Sequence, residues 1–161
     1  MGSGPSTSDL EVNPEPPDSE LAASLLGSYF AELRQRFPGG FEPWLSGAAS
    51  EEELATPNGA FLVARIGGRA VGCGAVRKLG AETAEVKHMW VDPAVRGQGT
   101  GRAMLAALED ASRKLGCRTL RLDTSSHLPE AIGLYRSSGY VETRAYNDNP
   151  YAHHWFEKRL S

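Results

Sequence analysis

The stretch Val91-Asp92-Pro93-Ala94-Val95-Arg96-Gly97-Gln98-Gly99-Thr100-Gly101-Arg102 decides how the rest of the chain is read. An apolar run, Val86 to Val91, leads into it, and a segment of helical spacing, Met104 to Leu115, follows it. Glycine reaches φ > 0 without a Cβ clash and lets another molecule approach the backbone closely. A glycine-rich turn that opens a helix also presents unpaired N–H groups at the positive end of the helix dipole. Together these suit a phosphate or pyrophosphate. The local physics is therefore strand, anion-cradling loop, helix; the plainer alternative is a tight β–α turn with no ligand. A Walker A loop would need a lysine after Gly101, and a dinucleotide fingerprint would need a third glycine at the same place, where Arg102 stands.

Downstream, Met104, Leu105, Leu108, Ala111 and Leu115 share one face of a helix that Gly116 ends. Leu120 and Leu122 mark a strand that a right-handed crossover would lay parallel to the one before the loop. Pro129 to Tyr140 reads as another helix, with Pro129 in its first turn and Gly139 at its C-terminal cap. Tyr140–Tyr146 and His153–Leu160 then read as a β-hairpin around Asn147-Asp148-Asn149-Pro150. Upstream, Ala60–Ile66 and Arg69–Lys78 form a hairpin across Gly67-Gly68, and Gly72 and Gly74 signal a bulge or close backbone approach. Gly80 turns the chain into Thr83–Val91. Before these lies a helix capped at Asp18 or Ser19 and running to about Arg36, built on Leu21, Leu25, Tyr29 and Leu33. A short strand near Leu10–Asn13 precedes it, and a short acidic helix follows Ser50. In the turn-rich stretch between, Phe41 and Trp44 either pin the loop by burial or wall a substrate site. Antiparallel strands running into a β–loop–α unit give an α/β fold with a mixed sheet.

The 161 residues suit a single domain over residues 9–161, after a tail at 1–8 expected to be disordered. Seventeen basic against twenty acidic residues leave a net charge of −3, with no basic surplus for a nucleic-acid groove. No apolar run approaches the roughly 18 residues of a membrane span, and Met1–Pro17 lacks the basic and apolar regions of a signal peptide. Cys73 and Cys117, without a CxxC spacing, read as reduced thiols of a cytoplasmic protein. His153-His154 are neighbours on a strand and face opposite sides, so no metal site is expected there.

Two motifs carry a family resemblance. Arg96-x-x-Gly99-x-Gly101 after Val91-Asp92-Pro93 resembles motif A of the GNAT superfamily of acyl-CoA-dependent N-acetyltransferases. Ala131-Ile132-x-Leu134-Tyr135-x-x-x-Gly139-Tyr140 resembles its motif B. One departure is Leu128, where many members carry an asparagine. The resemblance covers Ala60 to Leu160. It implies a mostly antiparallel sheet with helices on both faces and with central strands, near Val86–Val91 and Leu120–Asp123, that splay apart. It implies acetyl-CoA as cosubstrate, held by Met89, Trp90 and Val91 on the strand and by Arg96, Gly97, Gln98, Gly99, Thr100, Gly101 and Arg102 at the pyrophosphate. Tyr135 would lie beside the CoA sulfur as proton donor; taken alone it reads more readily as a core tyrosine with its hydroxyl paired. The implied reaction moves an acetyl group directly to a primary amine of a small molecule, peptide or protein. The alternative is a non-catalytic acyl-CoA-binding regulatory module. The family is often homodimeric, and the resemblance carries that over as analogy.

An alkylamine with a reference pKa of about 10.4 must lose a proton before it attacks. Glu85, six residues before Val91, matches the glutamate that serves as base in histone-acetylating members. Strand alternation puts Glu85, Lys87, Met89 and Val91 on one face and Val86, His88 and Trp90 on the other. Glu85 and Lys87 then form either a site or a simple ion pair. His88 is the alternative base, its reference pKa of about 6.5 suiting the task.

Overall fold

Seven strands form one sheet in the order β1-β2-β3-β4-β5-β7-β6 in the computed structural model, which describes residues 9–161. They are β1 (Leu10–Pro14), β2 (Gly59–Ile66), β3 (Arg69–Lys78), β4 (Thr83–Val91), β5 (Thr119–Thr124), β6 (Val141–Thr143) and β7 (His154–Arg159). The β4–β5 pair is parallel and every other pair antiparallel. The expected N-terminal tail lies outside the described residues.

Four α-helices flank the sheet: α1 (Glu20–Arg36), α2 (Glu51–Leu54), α3 (Thr100–Lys114) and α4 (Pro129–Ser137). Ser19 caps α1 by accepting the Ala22 N–H at 3.0 Å. Ser50 and Glu53 form a reciprocal capping box on α2. α3 begins four residues earlier than the apolar periodicity suggests, because Gly99 caps it in a left-handed conformation (φ 87°). Its apolar face packs on the sheet over Leu62, Ala64, Val76 and Val86. A Cβ at Gly74 would come within 2.9 Å of Leu108 Cδ1 and 3.0 Å of Met104 Sδ, so the glycine is what lets α3 sit that close. The opposite face carries α1 and α2 over Phe61, Val63, Cys73 and Ala75.

Two features place the site. β4 and β5 pair only at Thr83/Thr119, Ala84/Leu120 and Glu85/Arg121, and beyond Glu85 they diverge, as the resemblance implied. The second feature overturns the expected alternation. Two steps of β3, Cys73 to Ala75, face three steps of β4, Trp90 back to Lys87, and His88 takes φ 55°. This β-bulge re-phases the strand. Past it, Met89 and Val91 turn to the α3 face, while Trp90 joins Glu85 and Lys87 on the α1 side; His88 packs edge-on against Tyr29 and Phe30 of α1.

The C-terminal hairpin is also shorter than expected. β6 stops at Thr143, and residues 144–153 leave the sheet. Tyr146 and Asn147 are drawn instead to the buried Glu85 and the half-buried Asp123, donating to Glu85 Oε2 and Asp123 Oδ2 at 2.6 Å each. Satisfying a buried charge outweighs extending an edge strand by a few residues.

Candidate active site

The divergence of β4 from β5 opens a cleft of about 400 Å³, walled by α1, the end of β4, the glycine loop and α4. Gly97 and Gly99 both hold φ above 80°, with open space where a Cβ would be, so backbone conformation sets their identity. Gly101 differs: a Cβ there would lie 3.3 Å from Leu134 Cδ2 and 3.9 Å from Met89 Cε and Val91 Cγ2. The constraint expected from phosphate approach is thus one of width between β4, α3 and α4. Thr100 is 1% exposed and its Oγ1 has no hydrogen-bond partner among the described residues. Such an orphan beside the free first-turn amides of α3 fits a ligand carrying phosphate oxygens. Gln98 is exposed at the crest of the loop and its side chain does not line the cleft.

The strand side of the cleft is polar backbone. The Asp92 N–H donates to Val71 O at 2.7 Å, and Trp90 O lies against Gly72, so these groups serve β3. The backbone of Met89 and Val91 therefore points the other way, towards the gap. Val91 O accepts Arg96 Nε at 3.0 Å. Arg96 Nη2 also holds both oxygens of Glu32 on α1, at 2.6 and 2.8 Å. Burial works to raise the Glu32 carboxyl, but hydrogen bonds from Arg96, Trp90 and Arg36 hold it below the usual carboxylate range. Arg36 bridges on to Glu130 at the start of α4, so α1 is tied to both the loop and α4. Arg102 reaches the Ser137 and Ser138 hydroxyls at the far end of α4.

A second, smaller cavity of about 90 Å³ continues the cleft deeper between β4 and β5. Tyr29, Met89 and Tyr135 line both. The Tyr135 hydroxyl makes no hydrogen bond among the described residues, and burial, then the negative charge of Asp123, pushes its pKa well above the ordinary phenol value. The Tyr29 hydroxyl is raised too, first by burial and then by Tyr135 and Asp123. Lys87, His88, Asp123, Ser125 and Asn149 add to the polar lining.

Of the two base candidates, only His88 reaches this cavity. Its Nε2 already accepts the Ala49 N–H at 3.2 Å. Burial, followed by the charge of Lys87, pushes its pKa down to about 3, so it stands neutral and reluctant to take a proton. Glu85 is 1% exposed and does not line the cavity; Arg77 Nε donates to its Oε1 at 2.9 Å and Tyr146 to its Oε2. The expected Glu85–Lys87 pair is absent, since Glu85 pairs with Arg77 on β3 instead. The carboxylate that does face the cavity is Asp123, whose oxygens accept Asn149 Nδ2 at 3.0 Å and Asn147 Nδ2. Sequence reading missed it. Its signal was position: it closes the strand parallel to β4, at the carboxyl end where such sheets place their sites.

A loop-headed cleft at a splayed parallel pair, on this strand order, defines the acyltransferase class of protein. A model of the acetyltransferase (GNAT) family matches residues 27–140, and the chain belongs to that family. It is 36% identical over 113 residues to N-alpha-acetyltransferase RimI of Mycobacterium tuberculosis, covering 68% of this chain and 69% of that protein. It is 40% identical over 92 residues to the IAA acetyltransferase of Azospirillum brasilense, covering 56% of this chain and 60% of that protein. A solved structure from Klebsiella pneumoniae, proposed as an acyl-CoA N-acyltransferase, superposes with a TM-score of 0.75 at 29% identity, over 94% of this chain and 98% of that one.

Proposed function

We propose that the protein is an N-acetyltransferase that moves an acetyl group from acetyl-CoA directly to a primary amine. The observation that carries this reading is the Tyr135 hydroxyl, unpaired and protonated where the cleft meets the inner cavity. A module that only bound acyl-CoA would have no use for an inner cavity joined to the cleft at a proton donor.

Acetyl-CoA supplies an activated thioester. The chain supplies the rest. Amides from Gln98 to Arg102 and the Thr100 hydroxyl take the pyrophosphate, with Arg96 and Arg102 adding charge. The backbone of Met89 and Val91 offers strand-like hydrogen bonds, and Trp90 anchors that edge through Glu32. Tyr135 donates its proton towards the departing sulfur. Asp123 receives the proton of the amine, directly or through a water, in place of Glu85 and His88. Asn147 and Asn149 hold that carboxylate in position. The two free cysteines suit a reducing compartment, and no described helix is long and apolar enough to cross a membrane; we place the protein in the cytoplasm.

Thiol release from acetyl-CoA over a panel of primary amines tests the reading. Amine-dependent release above the hydrolysis background is the expected result, and Asp123→Asn should flatten the acid limb of kcat/KM. Tight acetyl-CoA binding with no amine-dependent release by any acceptor would replace the enzyme with a binding module.

A further inference from the structure

Lys87 is 91% buried, lines the inner cavity, and makes no hydrogen bond or ion pair among the described residues. An ammonium at the wall of a narrow cavity is partly stripped of water, a cost that a paired anion offsets. The carboxylate on its own strand and the one across the cavity are both engaged. Glu85, two residues away on the same face, is taken by Arg77 and Tyr146. Asp123, across the cavity, is taken by Asn147 and Asn149. The residue that follows, His88, is held neutral partly by the charge of Lys87, so nothing on this strand offsets it. The cavity thus presents a cation without an anion on its β4 wall and a carboxylate on its β5 wall, within about 90 Å³.

Resting on the transferase reading above, we propose that the acceptor is a small amine that also bears a carboxylate, as an amino acid does, and that Lys87 binds that carboxylate. The amine then lies on the Asp123 and Tyr135 side, where the acetyl group arrives, and the acid lies on Lys87. The acceptor gives Lys87 a directly paired anion, which no side chain supplies among the described residues. Lys87 is a specificity residue in this arrangement and takes no part in the proton transfers.

The test compares matched acceptors: amino acids against their carboxamides and against the amines that lack the carboxyl group. Thiol release should favour the carboxylate form by about 30-fold or more in kcat/KM, the scale of a buried charge pair losing one member. Lys87→Met keeps the length of the side chain and removes the charge. It should collapse that ratio towards one, with the loss appearing in KM, while calorimetry with acetyl-CoA reports an intact cleft. Equal wild-type turnover of carboxylate and carboxamide, or an unchanged ratio in Lys87→Met, overturns the assignment. If no amine is acetylated, the transferase reading fails separately. The carboxylate site is then read by titrating N-acetyl amino acids into the CoA-loaded protein: binding that Lys87→Met abolishes keeps it, and binding that is absent or indifferent to Lys87 removes it.

Discussion

Replacing Glu85 with glutamine separates a structural carboxylate from a catalytic one. In the structure Glu85 is 1% exposed, Arg77 donates to Oε1 at 2.9 Å, and the Tyr146 hydroxyl donates to Oε2 at 2.6 Å. Glutamine fills the same space and leaves one oxygen for Arg77. It removes the charge from that bond and sets an amide N–H₂ against the donating Tyr146 hydroxyl. Hydrogen bonds to charged groups contribute about 1.5–3 kcal/mol and neutral ones about 0.5–1.5, so the loss of charge costs roughly 1–2 kcal/mol, and a donor left facing a donor roughly 1–2 more. Arg77 keeps Glu53 at 3.1 Å, which stops the penalty from reaching that of a wholly stranded buried ion. The sum is about 3 kcal/mol. At about 2–4 °C per kcal/mol for a domain of this size, Tm should fall by about 6–12 °C. Scanning calorimetry reads that shift. Acetyl transfer measured well below Tm should keep the wild-type acid limb. A variant with wild-type Tm and a flattened acid limb would restore Glu85 as the base and refute the reasoning from its burial and partners.

Tyr135→Phe keeps the ring and removes the donor; kcat should fall by about 10²-fold with acetyl-CoA affinity nearly unchanged, and wild-type kcat would leave Tyr135 a packing residue. Gly101→Val would push a side chain into Leu134 and across the neck of the cleft, so calorimetry should show CoA binding lost from a folded protein; unchanged affinity would remove the pyrophosphate assignment. His88 titrates near 6.5 when unfolded but near 3 in the fold, so the folded state binds fewer protons between those values. Its contribution to stability is present above pH 6.5 and is lost as the pH falls towards 3, at up to about 1.4 kcal/mol per pH unit. Urea melts at pH 7 and pH 5 should show that slope, and His88→Gln should reduce it; equal slopes in both proteins would mean His88 is not buried neutral.

Much of this was legible in the chain. The glycine loop, the three antiparallel strands before it and the helix of Tyr135 follow from turn chemistry and periodicity, which are local. The face assignments along β4 were not, because alternation assumes an unbroken ladder and nothing in Lys87-His88-Met89 announces the extra residue that shifts it. The surroundings of Glu85 were hidden for a related reason. Glu85 stands at the right count from Val91, but its environment is set by Arg77 and Tyr146, eight residues before and sixty-one after it. Asp123 and Lys87 gain their meaning from which partners are already taken, and that is a property of the folded molecule.

The divergence of β4 from β5 also has a mechanical side. The four strands from β1 to β4 and the three from β5 to β6 are joined at three residue pairs, all at one end. The gap between the two groups is spanned by no rung of the ladder, so sheet hydrogen bonds do not fix its width beyond Glu85/Arg121. Across that gap run the core shared by Val86, Leu120, Leu122 and Phe156, the Tyr146–Glu85 hydrogen bond, and an ionic strap from α1, Glu32 to Arg96 on one side and Arg36 to Glu130 on the other. The width of the cleft is therefore held by side-chain contacts, on a sheet whose ladder is already open there.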